Sequence, residues 1–311
     1  MAALPAGEWN ALLDRQPAPT PFMRHEYLAA LEASGSAVPG TGWKPHGLLL
    51  REGPALRAAC ALYVKSHSYG EYVFDWAWAD AWRRHGLRYY PKALVAVPFT
   101  PVPGTRLLAV DDRWRRRLVD ALQSLTQGTG LSSAHVLFID DADAAAFQAA
   151  GWTLRHGVQF HWQRSATPGA GTFDDLLQSL QREKRKKIQQ ERRRVREAGV
   201  RFEVLEGAAI DVAHWDLFHR CYTLTYEAHR STPYLTRDFF SRMQACMAEH
   251  WVMFVAWQAG EPIAVSLVAV DRARRTAWGR YWGALKQVPC LHFEACYYQP
   301  LAWCLDHGVD R

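Results

Sequence analysis

Two stretches of this chain gather side chains able to move protons and contact a polar substrate. KSHSYGEYVFDW (65–76) places Lys65, His67, Tyr69, Glu71 and Asp75 within eleven residues and flanks them with Tyr72, Phe74, Trp76 and Trp78. A general base must sit within reach of the proton it takes and hold a proton affinity matched to the working pH. A carboxylate walled by aromatic rings loses hydration and gains proton affinity, so Asp75 and Glu71 are the first candidates for a base and His67 the next. Their spacing of four puts both carboxylates on one side if the segment is helical from about Tyr72. If it is extended, only one faces a cleft. The same carboxylates would also serve as structural partners of Lys65 or Arg106.

The second stretch holds Arg280, Tyr281, Trp282, His292, Glu294, Tyr297 and Tyr298, with His292 and Glu294 as further candidate acids or bases. Lys65, Tyr69, Arg106, Arg280, Tyr281, Trp282 and Tyr298 are candidate substrate contacts. Tyr222, Tyr226 and Tyr234 either wall a cleft or belong to a core. The six cysteines form no CxxC pair and several sit in apolar patterns, which predicts buried free thiols rather than a metal or redox site.

A third feature is electrostatic. REKRKKIQQERRRVREAG (182–199) carries nine basic and three acidic residues, a net charge equal to the +6 of the whole chain, so the remaining 28 basic and 28 acidic residues cancel. Leu177, Leu180, Ile188 and Val195 give the region a narrow packing stripe, and Gly199 suits a helix end. Lys184, Arg185, Arg192 and Arg193 lie on the densely basic remainder. Such a localised field suits a polyanion: a phosphate-bearing substrate, a tRNA or an anionic membrane surface. The alternative is a merely solvated helix.

The elements that must position these groups follow from periodicity. With 311 residues, 49% hydrophobic, the chain is long enough for two cores. EWNALL and HEYLAALEAS (25–34) read as helices. GLLLRE (47–52) and ALRAACALYV (55–64) read as strands joined at Gly53-Pro54. Strand 93–97, helix 113–127, strand 134–139, helix 141–150 and a strand near 152–163 follow. SATPGAGT (165–172) is the best linker. Beyond it the order restarts: basic helix, strand 201–206, helices 215–228 and 235–250, strands 251–258, 262–271 and 276–283, and a helix over 293–307. The domains expected are 1–164 and 173–311. The start lacks a signal-peptide pattern and no run is long enough to span a membrane, which predicts a cytoplasmic protein, with the basic arm able to reach the inner membrane face.

That order of elements resembles the GNAT acyltransferase fold. Two copies with a basic helical element resemble the FemAB-like family of N-acyltransferases, associated with peptidoglycan biosynthesis or recognition. PFMRHEYLAALEASG (21–35), YVKSHSYGEYVFDWAWADAW (63–82), YYPKALVAVPFTPVPGTRLL (89–108) and the region 279–308 carry the resemblance, which covers nearly the whole chain. It implies an α/β (α+β) fold of tandem duplicated GNAT-like domains, the second ending early at Arg311, and leaves strand 276–283 as an open edge. It implies an N-acyltransferase acting on an amine, such as a cell-wall precursor, with aminoacyl-tRNA or acyl-CoA as donor and no permanently bound cofactor. ALKQVPCLHFEA (284–295) lacks the glycine-rich loop of CoA-dependent enzymes, which favours an aminoacyl donor, while PVPGTR (101–106) keeps a phosphate contact through Arg106 open. A CoA-dependent N-acetyltransferase and a non-catalytic polyanion-binding protein are the alternatives. No pattern in the sequence sets an oligomeric state.

Overall fold

The computed structural model describes residue 1, residues 4–165 and residues 171–311, so 166–170 of the expected linker lie outside the described residues. The protein is a mixed α+β fold that divides into two units. Met1–Gly157 with Tyr234–Phe239 form the first, and Val158–Pro233 with Phe240–Arg311 the second.

In the first unit, α1 (Ala6–Leu13) and α2 (His25–Ala33) bury Trp9, Leu12 and Leu13, and Tyr27, Leu28 and Leu31. Then come β1 (Trp43–Pro45), β2 (Leu48–Glu52), β3 (Ala55–Cys60), β4 (Leu62–Lys65), α3 (Trp76–Arg84), β5 (Lys92–Val95), β6 (Leu108–Ala109), α4 (Asp112–Gly128), β7 (Ala134–Val136) and α5 (Asp141–Ala149). The sheets run β1-β4-β5-β7 and β2-β3-β6. The expected hairpin turns at Gly53, whose φ of 57° is the left-handed conformation glycine tolerates.

Two expectations are corrected here. The apolar run 55–64 is not one strand: Cys60 pairs with Leu48 in one sheet, and Leu62 with Val95 in the other. A continuous apolar run has no period to mark such a switch. The strand expected near 152–163 is absent among the described residues, where Val158 and Phe160 are 85% and 99% exposed. Strand propensity expresses packing against neighbouring side chains, and exposed residues such as these gain little from it.

The first core gathers Leu62, Val95, Leu107, Leu118, Leu122 and Phe147. The segment 234–239 completes this unit. Tyr234 stacks on Phe99 at 4.9 Å, Phe239 meets Tyr27 edge-on at 5.3 Å, and the Thr236 amide donates to Ser36 Oγ at 3.2 Å.

The second unit contains α6 (Phe173–Ser179), α7 (Arg182–Glu197), β8 (Val200–Glu206), α8 (Val212–Ala228), α9 (Arg237–Cys246, whose first residues belong to the first unit), β9 (Trp251–Gln258), β10 (Glu261–Asp271) and β11 (Thr276–Ala284). Its strands form one antiparallel sheet, β11-β10-β9-β8. The β9–β10 hairpin turns at Ala259 and Gly260, both with positive φ, as a turn matched to strand twist requires. The basic arm is two helices: Leu180 is extended (ψ 154°) and separates α6 from α7, which ends before Gly199 at φ 75°. The final helical run is α10 (Leu291–Phe293), a π-helical turn Glu294–Tyr298 and α11 (Gln299–Asp306). β11 is an outer strand, and α8 lies against it, with Thr225 Oγ1 donating to the Trp282 carbonyl at 3.0 Å.

Candidate active site

Lys65 and Lys92 stand directly opposite each other in the β4–β5 ladder, and both are completely buried. Opposed residues share a sheet face, where like charges repel, and an unpaired buried ammonium is costly. The loop after β4 supplies the compensation. Lys92 Nζ donates to Glu71 Oε2 at 2.8 Å, to Asp75 Oδ2 at 2.6 Å and to Ser68 Oγ at 3.1 Å. Lys65 Nζ lies 3.7 Å above the Trp43 ring and donates to the Tyr69 carbonyl at 3.3 Å. Glu71 and Asp75 are each 2% exposed, and Glu71 Oε1 and Asp75 Oδ1 are buried without a hydrogen-bond partner.

The loop reaches this geometry through Gly70, Tyr72 and Phe74, all at positive φ. A β-carbon on Gly70 would sit 2.5 Å from the Phe99 ring. The helix starts only at Trp76, so Glu71 and Asp75 do not share a helical face. They converge because both reach the same ammonium.

Burial drives the titration of the cluster. It pulls the Lys65 ammonium down to about 7, with Lys92 adding repulsion and Glu71 and Asp75 opposing. It raises Glu71, which the charge and hydrogen bond of Lys92 only partly offset. Asp75 departs from the expected upward shift. Burial pushes it up, but hydrogen bonds from Lys92, Ser68 and Tyr89 outweigh burial and hold it at about 2. Asp75 is therefore an anchor that stays ionised, while Glu71 is the carboxylate with raised proton affinity. His135, whose ring lies 6.0 Å from that of Tyr89, is lowered to about 4 by burial and by Lys92 and stays neutral.

The cluster connects to the surface through two tyrosines. Tyr89 OH donates to Asp75 Oδ2 at 2.7 Å, and Tyr90 OH lies 2.7 Å from Ser68 Oγ. Both tyrosines line an open depression of about 470 Å³ shared with Asp80, Arg83, Leu87 and Arg88. A line of polar atoms thus runs from the depression through Tyr90, Ser68 and Lys92 to Glu71. Nothing in the residue types marks Lys92, Ser68, Tyr89 or Tyr90 as members. The one available signal is a lysine heading an apolar strand, since lysine is rarely buried unless paired.

The other candidates are placed as follows. Tyr69 is exposed, and its amide donates to His67 Nδ1 at 3.2 Å. His67 packs against Gly42 and is lowered by burial and by Lys65. Arg106 is buried, its guanidinium donating to the carbonyls of Leu137, Gly104 and Val102. Tyr234 stacks on Phe99. In the second unit, Tyr222 is core, in contact with Phe218 and Tyr226. Arg280 Nη2 donates to Tyr281 OH at 2.9 Å, and Trp282 meets His292 edge-on at 5.3 Å. Glu294 is 4% exposed and receives Arg192 Nε at 3.1 Å, while Tyr298 OH donates to Glu191. Arg192 therefore faces inward, over Phe173, and Lys184 and Arg193 remain on the exposed side with Arg185 half-buried.

Among the described residues no group of three or more His, Cys, Asp or Glu side chains could hold a metal ion, and no helix is long and apolar enough to cross a membrane. The cysteines are free.

A family model for FemAB-like proteins, described as peptidoglycan biosynthesis/recognition, matches residues 1–311. No curated protein matches the chain. Among solved structures it is similar to FemX, with 12% identity, 99% of this chain and 86% of that chain covered and a TM-score of 0.51. It is also similar to L-PGS from Bacillus licheniformis (10% identity, 98% and 74% covered, TM-score 0.58). A third similarity is to the C-terminal domain of a putative lysylphosphatidylglycerol synthetase from Agrobacterium fabrum (11% identity, 98% and 76% covered, TM-score 0.54). At these identities the likeness is one of fold.

Proposed function

Because this chain belongs to the FemAB-like family over its whole length, we propose that it is an aminoacyltransferase that acylates an amine of a cell-wall or lipid precursor. The observation that carries the reading is the polar line from the depression to Glu71 through Tyr90, Ser68 and Lys92. An acceptor ammonium seated at Tyr90 must lose a proton before it attacks an ester carbonyl. Tyr90 and Ser68 take that proton inward, Lys92 passes one of its own to Glu71, and Lys92 leaves the exchange still charged. Asp75, held ionised, keeps Lys92 and Tyr89 in place throughout. Lys65, drawn toward neutrality near pH 7, limits the positive charge around the newly neutral site.

Arg106 is buried with its guanidinium on backbone carbonyls, and Gly104 is packed so that a β-carbon would lie 2.8 Å from Thr20 and 2.9 Å from the Ala18 carbonyl, so neither the arginine nor the glycine of PVPGTR is presented to a pyrophosphate. That favours an aminoacyl donor over acyl-CoA. Glu71→Gln should cut turnover with aminoacyl-tRNA by about 10²-fold while leaving the melting temperature within a few degrees, because glutamine still accepts from Lys92. Full turnover in this variant would remove Glu71 from the reaction. Activity that survives nuclease treatment and follows added acyl-CoA would favour a CoA-dependent acetyltransferase.

The arm fits the polyanionic donor. Replacing Lys184, Arg185 and Arg193 by Gln, and leaving Arg192 on Glu294, should lower the log–log salt slope of tRNA binding by about one unit per lost phosphate contact. An unchanged slope would make α7 a solvated helix only.

A further inference from the structure

No residue of α3 is buried, although three of its nine residues are tryptophan. Around it Phe74 is 76% exposed, Trp76 45%, Trp78 57% and Leu87 57%. Scattered exposed apolar residues are ordinary, but four large ones within fourteen residues, on and beside one largely exposed helix, are a concentration that water disfavours. The backbone holds them out: Phe74 has a φ of 51°, a conformation that bulky residues adopt rarely and at a cost. The helix ends in cations. Arg83 and Arg84 both pair with Asp80, at 2.5 and 2.7 Å, so one positive charge remains there, and Arg88 adds a second.

We infer that the segment 74–88 is an interfacial docking surface for an anionic lipid bilayer. Tryptophan is the residue type that favours the headgroup boundary, where its ring is buried and its N–H stays hydrated. Within α3, Trp78 and Trp82 fall on one side of the helix and Asp80, Arg83 and Arg84 on the other, so Trp78 can enter that boundary while the arginines reach toward lipid phosphates. Arg84 and Arg88 meet lipid phosphates, each favouring a negative surface. Charge complementarity separates this occupant from a second copy of the chain, because two such patches face to face would oppose arginine with arginine. The depression lined by Arg83, Leu87 and Arg88 then opens at headgroup level. The inference concerns binding only and stands whether or not the proposed acyl transfer is right.

Vesicle flotation tests it with the full chain and two lipids, phosphatidylglycerol and phosphatidylcholine. The protein should partition onto phosphatidylglycerol vesicles at least about tenfold more strongly than onto phosphatidylcholine. Phe74→Ser with Trp78→Ser should reduce that partitioning about tenfold or more, and Arg84→Gln with Arg88→Gln by about tenfold at low salt. Because these side chains are exposed, the melting temperature should not change. Three results would overturn the inference: no partition onto either lipid, partition unaffected by the aromatic pair but abolished by the Lys184, Arg185 and Arg193 changes, or a dimer that the aromatic pair dissociates.

Discussion

Replacing Lys92 by methionine should lower the stability of the first unit by about 3–5 kcal/mol, the range for breaking a buried ion pair by removing one partner. The substitution keeps an unbranched side chain, one atom shorter, and removes the charge that holds Glu71 and Asp75, both buried, each with one oxygen already unpartnered. Urea unfolding reads the loss. Adding Glu71→Gln and Asp75→Asn to Lys92→Met should restore much of it, because no uncompensated charge then remains inside; a triple variant as unstable as the single one would place the cost in packing instead. Acid titration of the unmodified protein gives an independent check. Asp75 is held near 2, below the ordinary aspartate value, so its stabilisation is complete above about pH 4 and is lost as the pH falls through about 2. That contribution is on the order of 2–3 kcal/mol. Asp75→Asn should remove this acid limb.

Gly283→Ala should be comparably damaging in the second unit. A β-carbon there would lie 2.0 Å from the Cys221 carbonyl oxygen and 2.3 Å from its carbon. Both atoms belong to the backbone of α8, so no rotamer change relieves the clash, and the helix must move off β11. Overpacking by a methyl group costs about 1–3 kcal/mol where side chains can yield, and a rigid backbone neighbour puts this case at about 3 kcal/mol or more. Gly279→Ala, with nothing within 4 Å of its added carbon, is the control on the same strand. Equal melting temperatures for the two variants would show that α8 yields freely.

Much of the architecture was legible because its signals are local. The hairpin turns at Gly53 and Gly260, the Gly199 end of α7 and the long helices α4 and α8 stand where periodicity and turn residues put them. What periodicity could not show is where strands find partners: the break between Cys60 and Leu62 and the irregular stretch after Trp152 depend on pairing across the chain. The candidate site was half legible. Glu71 and Asp75 were visible as a polar cluster among aromatics, but Lys92, 17 residues beyond Asp75, faces them only through the β4–β5 register. That register also reversed the expected direction for Asp75, since hydrogen bonds from Lys92 and Tyr89 outweigh desolvation. Arg192 shows the same limit. It reads as one of many arm cations, and only the fold turns it onto Glu294.

The return of Tyr234–Phe239 to the first unit sets an order on biosynthesis. The contiguous part of that unit ends at Gly157, yet the partners of Phe99, Tyr27 and Ser36 emerge from the ribosome some 80 residues later. At about 5–20 residues per second, the nascent unit waits on the order of 4–16 s with those positions uncovered. Vectorial folding of the N-terminal half therefore cannot finish before much of the C-terminal half has been made, and a gene fragment stopping at Gly157 encodes a unit without its closing segment.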